Sequence, residues 1–235
     1  GQELGGDMLF QRRIGFSGTP SDLLPLELGQ CQHEKGADGQ MIHFLSNPAI
    51  TSLKVLPSSW TVDYLLWYVA TAPHGRFHAL IDTGALIAGL SNQQVAYKLL
   101  QYGLSWADGV VFLDKNDDKV VLLRSNWKIV KLSQCSLRHD RRFVYYDDIH
   151  TTGTDLKHIT TATAALTISK DMVFRDFAQG AYRMPGIGKR QSIDILIPLN
   201  CVSLILKISC ACGLNSTQND FSKSFQIARQ ITPLE

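Results

Sequence analysis

Three stretches of the sequence bring together residue types that can do chemistry. His150-Thr151-Thr152-Gly153-Thr154-Asp155-Leu156-Lys157 combines an imidazole, hydroxyls, a glycine and a carboxylate. The glycine lets backbone approach a ligand closely. Asp155 can accept a hydrogen bond from a hydroxyl, and Thr151 and Thr152 can contact a nucleic-acid phosphate. Gln179-Gly180-Ala181-Tyr182-Arg183-Met184-Pro185-Gly186 carries a guanidinium, permanently charged and forked toward oxygen ligands, just before a turn. Cys135, His150 and Asp147 or Asp148 supply a thiolate, a base and an orienting carboxylate, the residue types of nucleophilic attack by sulfur.

These residues need elements to position them, and the sequence alternates between strand and helix signals. Ser59 to Tyr68 is helical in spacing, with Ser59 or Thr61 as cap. The run Phe77–Thr83 reads as a buried strand. Ser91 caps a predicted helix over Asn92–Tyr102. A second strand, Gly109–Leu113, is followed by the turn Asn116-Asp117-Asp118 and a hairpin strand, Lys119–Leu123. Further strands are predicted at Trp127–Leu132, Arg142–Tyr146, Ala164–Ile168 and Ser192–Ile197, the last stopped by Pro198. A helix is predicted over Lys170–Tyr182, with Met172, Val173, Phe177 and Ala181 on one face. This alternation predicts an α/β fold built on a mostly parallel sheet.

Composition sets wider bounds. With 235 residues, 45% hydrophobic and 19% charged, the chain can bury a sufficient core. A net charge of +2 is lower than a dedicated nucleic-acid binder usually carries. The basic run Arg138-His139-Asp140-Arg141-Arg142 reads as a solvated turn. Five cysteines (Cys31, Cys135, Cys201, Cys210, Cys212) are odd in number and irregular in spacing. They argue against a disulfide framework and against zinc, and for a reducing, intracellular location, cytoplasmic or nuclear. The polar segment Gly1–Asp7 does not read as a signal sequence, and the lack of an initial methionine suggests a fragment. The apolar run Cys201–Cys212 is broken by Lys207 and is too short to span a bilayer, so no membrane is expected.

Order and spacing add a resemblance. Gly15-Phe16-Ser17-Gly18-Thr19-Pro20 resembles the S/T-G/A-T-P motif that closes the first lobe of superfamily-2 helicases. The segment from His150 to Lys157, after the strand ending at Tyr146, resembles their A-R-G-x-D-I-P or T-x-G-x-G-L-N motif. The segment from Gln179 to Gly186 resembles their Q-x-x-x-R-x-G motif, especially the A-Y-R-I-G-Q run of Swi/Snf-type remodellers. The resemblance implies a three-layer RecA-like fold, the helicase C-terminal lobe. It divides the chain into the end of a first lobe and linker (1–58), a helicase-C-like domain (59–198) and a C-terminal extension (199–235). Arg183 and Gln179 become the catalytic candidates, and Thr19, Gly153 and Asp155 the nucleotide contacts. Thr151 and Thr152 become the nucleic-acid contacts. ATP with magnesium is implied only together with a first RecA-like lobe, the expected partner. The sequence has no G-x-x-x-x-G-K-[ST] loop, since Gly188-Lys189 is followed by Arg190, so this chain is not expected to hydrolyse ATP alone.

The stretch Ala79–Pro198 is also similar to very large eukaryotic proteins labelled ubiquitin hydrolases of the ovarian-tumour-related group. Those carry L-D-E-A-H-T-R-G-T-D-L-K-L followed by T-K-D-x-x-x-Q-A-x-x-R-M-R. That label implies ubiquitin as a partner and Cys135, His150 and Asp147 as a thiol site. Two further readings remain open. Ala79-Leu80-Ile81-Asp82-Thr83-Gly84-Ala85 fits the retropepsin string, although the flanking α/β pattern is wrong for that fold. Trp60, Trp67, Trp106 and Trp127 could instead serve a non-catalytic interaction scaffold.

Overall fold

The computed structural model describes residues 47, 49–73, 76–151, 156–170, 172 and 174–201. The expectations placed on Thr19, Thr152, Gly153 and Asp155, on the motif at 15–20 and on most of the C-terminal extension lie outside these residues.

Among the described residues, eight strands form one sheet: β1 (Thr51–Leu56), β2 (Ala79–Ile81), β3 (Gly109–Leu113), β4 (Lys119–Leu123), β5 (Ile129–Lys131), β6 (Arg142–Tyr146), β7 (Thr163–Thr167) and β8 (Ser192–Pro198). Their order is β1-β8-β7-β2-β6-β3-β4-β5. Pairings from β1 across to β3 are parallel, and only the β3-β4-β5 edge is antiparallel. Strands covered on both faces must be apolar at nearly every position. Accordingly β2 and β3 are buried throughout, and β6, β7 and β8 are buried after their first residue.

Helices α1 (Val62–Thr71) and α2 (Asn92–Tyr102) cover one face. Thr61 caps α1 by accepting from the Tyr64 amide at 3.1 Å. Ser91 and Gln94 close a reciprocal box at the start of α2, satisfying two amides that the helix leaves open. At the other end of α2, the Arg124 guanidinium donates to the carbonyls of Leu100, Gly103, Leu104 and Ala107. Leu65, Leu66, Val69, Val95, Ala96 and Leu99 pack against Leu80, Val110, Phe112 and Phe143. The other face carries α3 (Phe174–Ala181), whose Phe177, Ala178 and Ala181 join Ile81, Val111, Val144 and Leu166. Helices on both sides of a mostly parallel sheet are compatible with a three-layer α/β fold.

Several boundaries differ from expectation. β1 falls within the stretch read as linker, yet it pairs with β8 along six residues, so the sheet begins before residue 59. Its residues are mostly half-buried, as suits an edge strand, and carry no strong periodic signal. β2 is shorter than the apolar run around it, because its ladder with β6 and β7 spans only Ala79–Ile81. α3 begins at Phe174, four residues later than predicted, and ends at Ala181.

Candidate functional site

In a parallel sheet, ligands gather beyond the carboxyl ends of the strands, where neighbouring connections diverge. Here β2 leads through α2 to β3 on one side, while its neighbour β7 leads through α3 to β8 on the other. The loop after β2 is held by Asp82. Its buried carboxylate accepts from the amides of Leu86 and Ile87, each at 2.9 Å, and from the Thr167 hydroxyl at 2.6 Å. The Gly84 amide in turn donates to Thr167 Oγ1. Burial pushes the Asp82 pKa up, while the Thr167, Ile87 and Leu86 donors pull against that rise. With its oxygens engaged by this loop and by β7, Asp82 serves as a latch, not as one half of a proton-sharing pair.

The crevice between β2 and β7 is tightly closed. A Cβ on Gly84 would stand 2.8 Å from the backbone of Ile168 and Ser169. One on Gly180 would stand 2.2 Å from Thr83 Oγ1. Only glycine lets α3 seat this close to the carboxyl end of β2. Thr83 Oγ1 is buried there and has no hydrogen-bond partner among the described residues. Arg183 follows one turn later, its amide donating to the Gly180 carbonyl at 3.1 Å. It is half-buried between Ala181 and Met184, which both enter the core on the α3 face. Gln179, also half-buried, precedes it by one turn. Gln179 and Arg183 thus flank Gly180 at one turn-and-helix junction, and Gly180 itself meets Thr83, just past the carboxyl end of β2.

Farther along this edge, the loops after β3 and β6 and the first turn of α2 enclose a cavity of about 550 Å³. Its lining includes Asn92, Asp114, Asp117, Asp147 and His150. The imidazole is clasped on both sides: Nδ1 meets Asp147 Oδ1 at 2.5 Å and Nε2 meets Asp117 Oδ1 at 2.9 Å. The side chains of Asp147 and His150 are 12% and 14% exposed, whereas that of Asp117 is 77% exposed. Burial alone would lower the His150 pKa, but the Asp117 and Asp147 hydrogen bonds outweigh it and the net shift is upward. Asp117 reaches His150 from the tip of the β3–β4 turn, where its own φ is 60° and Asp114 accepts from the Asn116 and Asp118 amides.

The thiol arrangement is only partly assembled. His150 and Asp147 meet, but Cys135 packs against the core of the α3 face and lies outside the lining of the His150 cavity. The Cys135 carbonyl accepts from Arg142, which stands at the start of β6, whereas Asp147 follows its end. Thr151 is buried and its hydroxyl donates to the Asp148 carbonyl. Sequence reasoning missed Asp117 as a partner of His150; the signal available was the Asn116-Asp117-Asp118 turn, but not where its tip would land. It also missed Asp194, a buried carboxylate on β8 that accepts from Arg76 at 2.5 Å and from Ser52 at 2.5 Å.

Among the described residues, no group of three or more His, Cys, Asp or Glu is arranged to hold a metal ion. No described helix is long and apolar enough to cross a membrane. Compared with family models, curated proteins and solved structures, the chain matches none.

Proposed function

We propose that this chain acts as the second, RecA-like lobe of a superfamily-2 helicase-type motor, completing an ATP site whose phosphate-binding loop is provided by a first lobe. The observation that carries this reading is the seating of α3. Gly180 against Thr83 fixes the helix at the carboxyl edge of β2, and Arg183 follows within one turn. A guanidinium presented at that edge would face the charge that grows on a phosphoryl group in transfer, where preorganised positive charge is worth most. Gln179, one turn earlier, would orient it or the attacking water. The chain alone would not turn over ATP.

The test uses the protein together with its first lobe. Arg183→Ala should lower kcat for ATP by about a thousandfold, the range for loss of an arginine finger. The nucleotide Kd should stay within about threefold, because the interaction forms only in the transition state. Arg183→Lys should recover little, since it restores charge without the fork. Unimpaired turnover in Arg183→Ala, or no ATP binding by the paired lobes, would overturn the proposal.

A further inference from the structure

A second cavity, about 310 Å³, opens on the α3 face and is distinct from the carboxyl-edge pocket. Its floor is apolar: Val111 and Val144 from the sheet, with Leu132, Leu156 and Pro185 around them. Its polar lining is basic: Lys119, His139, Arg142 and Lys157. No carboxylate lines it among the described residues.

The basic run at 138–142 is split by the fold. Arg138 pairs with Asp140 and Arg141 with Asp108, both at the surface. Arg142 turns the other way, toward the cavity, because alternate residues of a strand point to opposite faces and Arg142 shares the parity of Val144 and Tyr146. Its Nη2 donates to the carbonyls of Leu137 and Cys135. Its Nε is buried and has no acceptor among the described residues. Arg142 is half-buried as a residue, but a buried N–H without an acceptor is costly to the fold, and a nearby oxyanion offsets that cost. At the rim, Lys157 is exposed and forms no ion pair among the described residues.

We propose that this cavity binds an organic oxyanion, a carboxylate or phosphate carried on an apolar body. Arg142 and Lys157 hold the anionic group, with Lys119 adding positive potential and His139 a ring N–H at the rim. The floor of Val111, Val144 and Leu156 takes the apolar part. The proposal does not depend on the motor reading, since it uses neither Arg183 nor Gln179.

The test titrates phenyl phosphate and benzoate into the chain, following methyl resonances by NMR, with inorganic phosphate and benzyl alcohol in parallel. The expected result is saturable binding of at least one aromatic anion, shifting Val111, Val144 and Leu156. Both controls should bind at least about tenfold more weakly. Which anion binds tighter tells phosphate from carboxylate recognition. Lys157→Glu, at an exposed position that spares the fold, should weaken binding about tenfold with the unfolding temperature unchanged, and Arg142→Gln should weaken it further. Saturable binding with shifts elsewhere, no saturable binding, or unaltered affinity in Lys157→Glu would overturn the site. Equal affinity for inorganic phosphate would overturn the role of the apolar floor.

Discussion

The two cavities draw on the same strands and differ in chemistry: Asp114, Asp117 and Asp147 stand with Lys115 and His150 in one, whereas the polar lining of the other is basic throughout. β3 gives Phe112 to the carboxyl-edge pocket and Val111 to the one on the α3 face. β6 begins with Arg142 in the basic cavity, and the residue just past its end, Asp147, lines the pocket with His150. Lys119 and Asp114, at the two sides of one hairpin turn, part in the same way. Within the strands alternate residues point to opposite faces, so Val111, Arg142 and Val144 reach the cavity on the α3 face while Phe112 does not. The strands thus send most of these carboxylates to one cavity, where Lys115 joins them, and only basic side chains to the other among the described residues.

That separation can be attacked at its supports. The largest effect is expected from Asp82→Ala, which leaves the Leu86 and Ile87 amides and the Thr167 hydroxyl without their acceptor. It should cost about 3 kcal/mol or more in chemical denaturation. A loss below about 1 kcal/mol would mean the carboxyl-edge loop does not need its latch.

Gly180→Ala comes next. A methyl group gains about 1 kcal/mol of helix propensity, but it meets Thr83 Oγ1 at 2.2 Å and Thr83 Cβ at 3.2 Å. A net loss of about 1–2 kcal/mol is expected. Thr83→Ala added to Gly180→Ala should restore part of it; if the double variant is no more stable than the single, the close seating of α3 is not the cause.

The His150 clasp gives a smaller, pH-dependent effect. Its folded pKa is raised, so the protonated ring favours the folded state. The contribution is fully present below the unfolded value near 6.5 and fades as pH rises through the folded value. NMR titration should place His150 above ordinary histidine, and Asp117→Asn should move it downward. A His150 that titrates below the ordinary value would sink the clasp. Smallest of all, breaking the exposed Lys131–Asp118 pair with Lys131→Ala should leave the denaturation midpoint unchanged, because solvent screens such a surface pair; a clear shift would show that this pair supports the hairpin.

Much of the scaffold could be read from residue order. α2, β3, β4 and β6 fall where their signals place them, because a cap or a turn bounds each apolar run. β1 escaped because Thr51-Ser52-Leu53-Lys54-Val55-Leu56 is an edge strand, with neither strict alternation nor continuous apolarity. The pockets were less legible. Arg138, Arg141 and Arg142 look equivalent on paper, and only the ladder of β6 turns one of them inward. The meeting of His150 with Asp117 spans 33 positions and depends on how the β3–β4 turn curls over the sheet. No local pattern encodes such a meeting.

The pairing of β1 with β8 has a consequence for biogenesis. Thr51 finds its ladder partner in Ile193, on the last described strand of the sheet to be synthesised. At ribosomal rates of about 5–20 residues per second, the first strand waits on the order of 7–30 seconds for its neighbour. During that interval Val55 and Leu56 have no sheet to cover them. A chain cut before Ser192 would leave β1 stranded and the flank of β7 open, inviting association with other nascent copies.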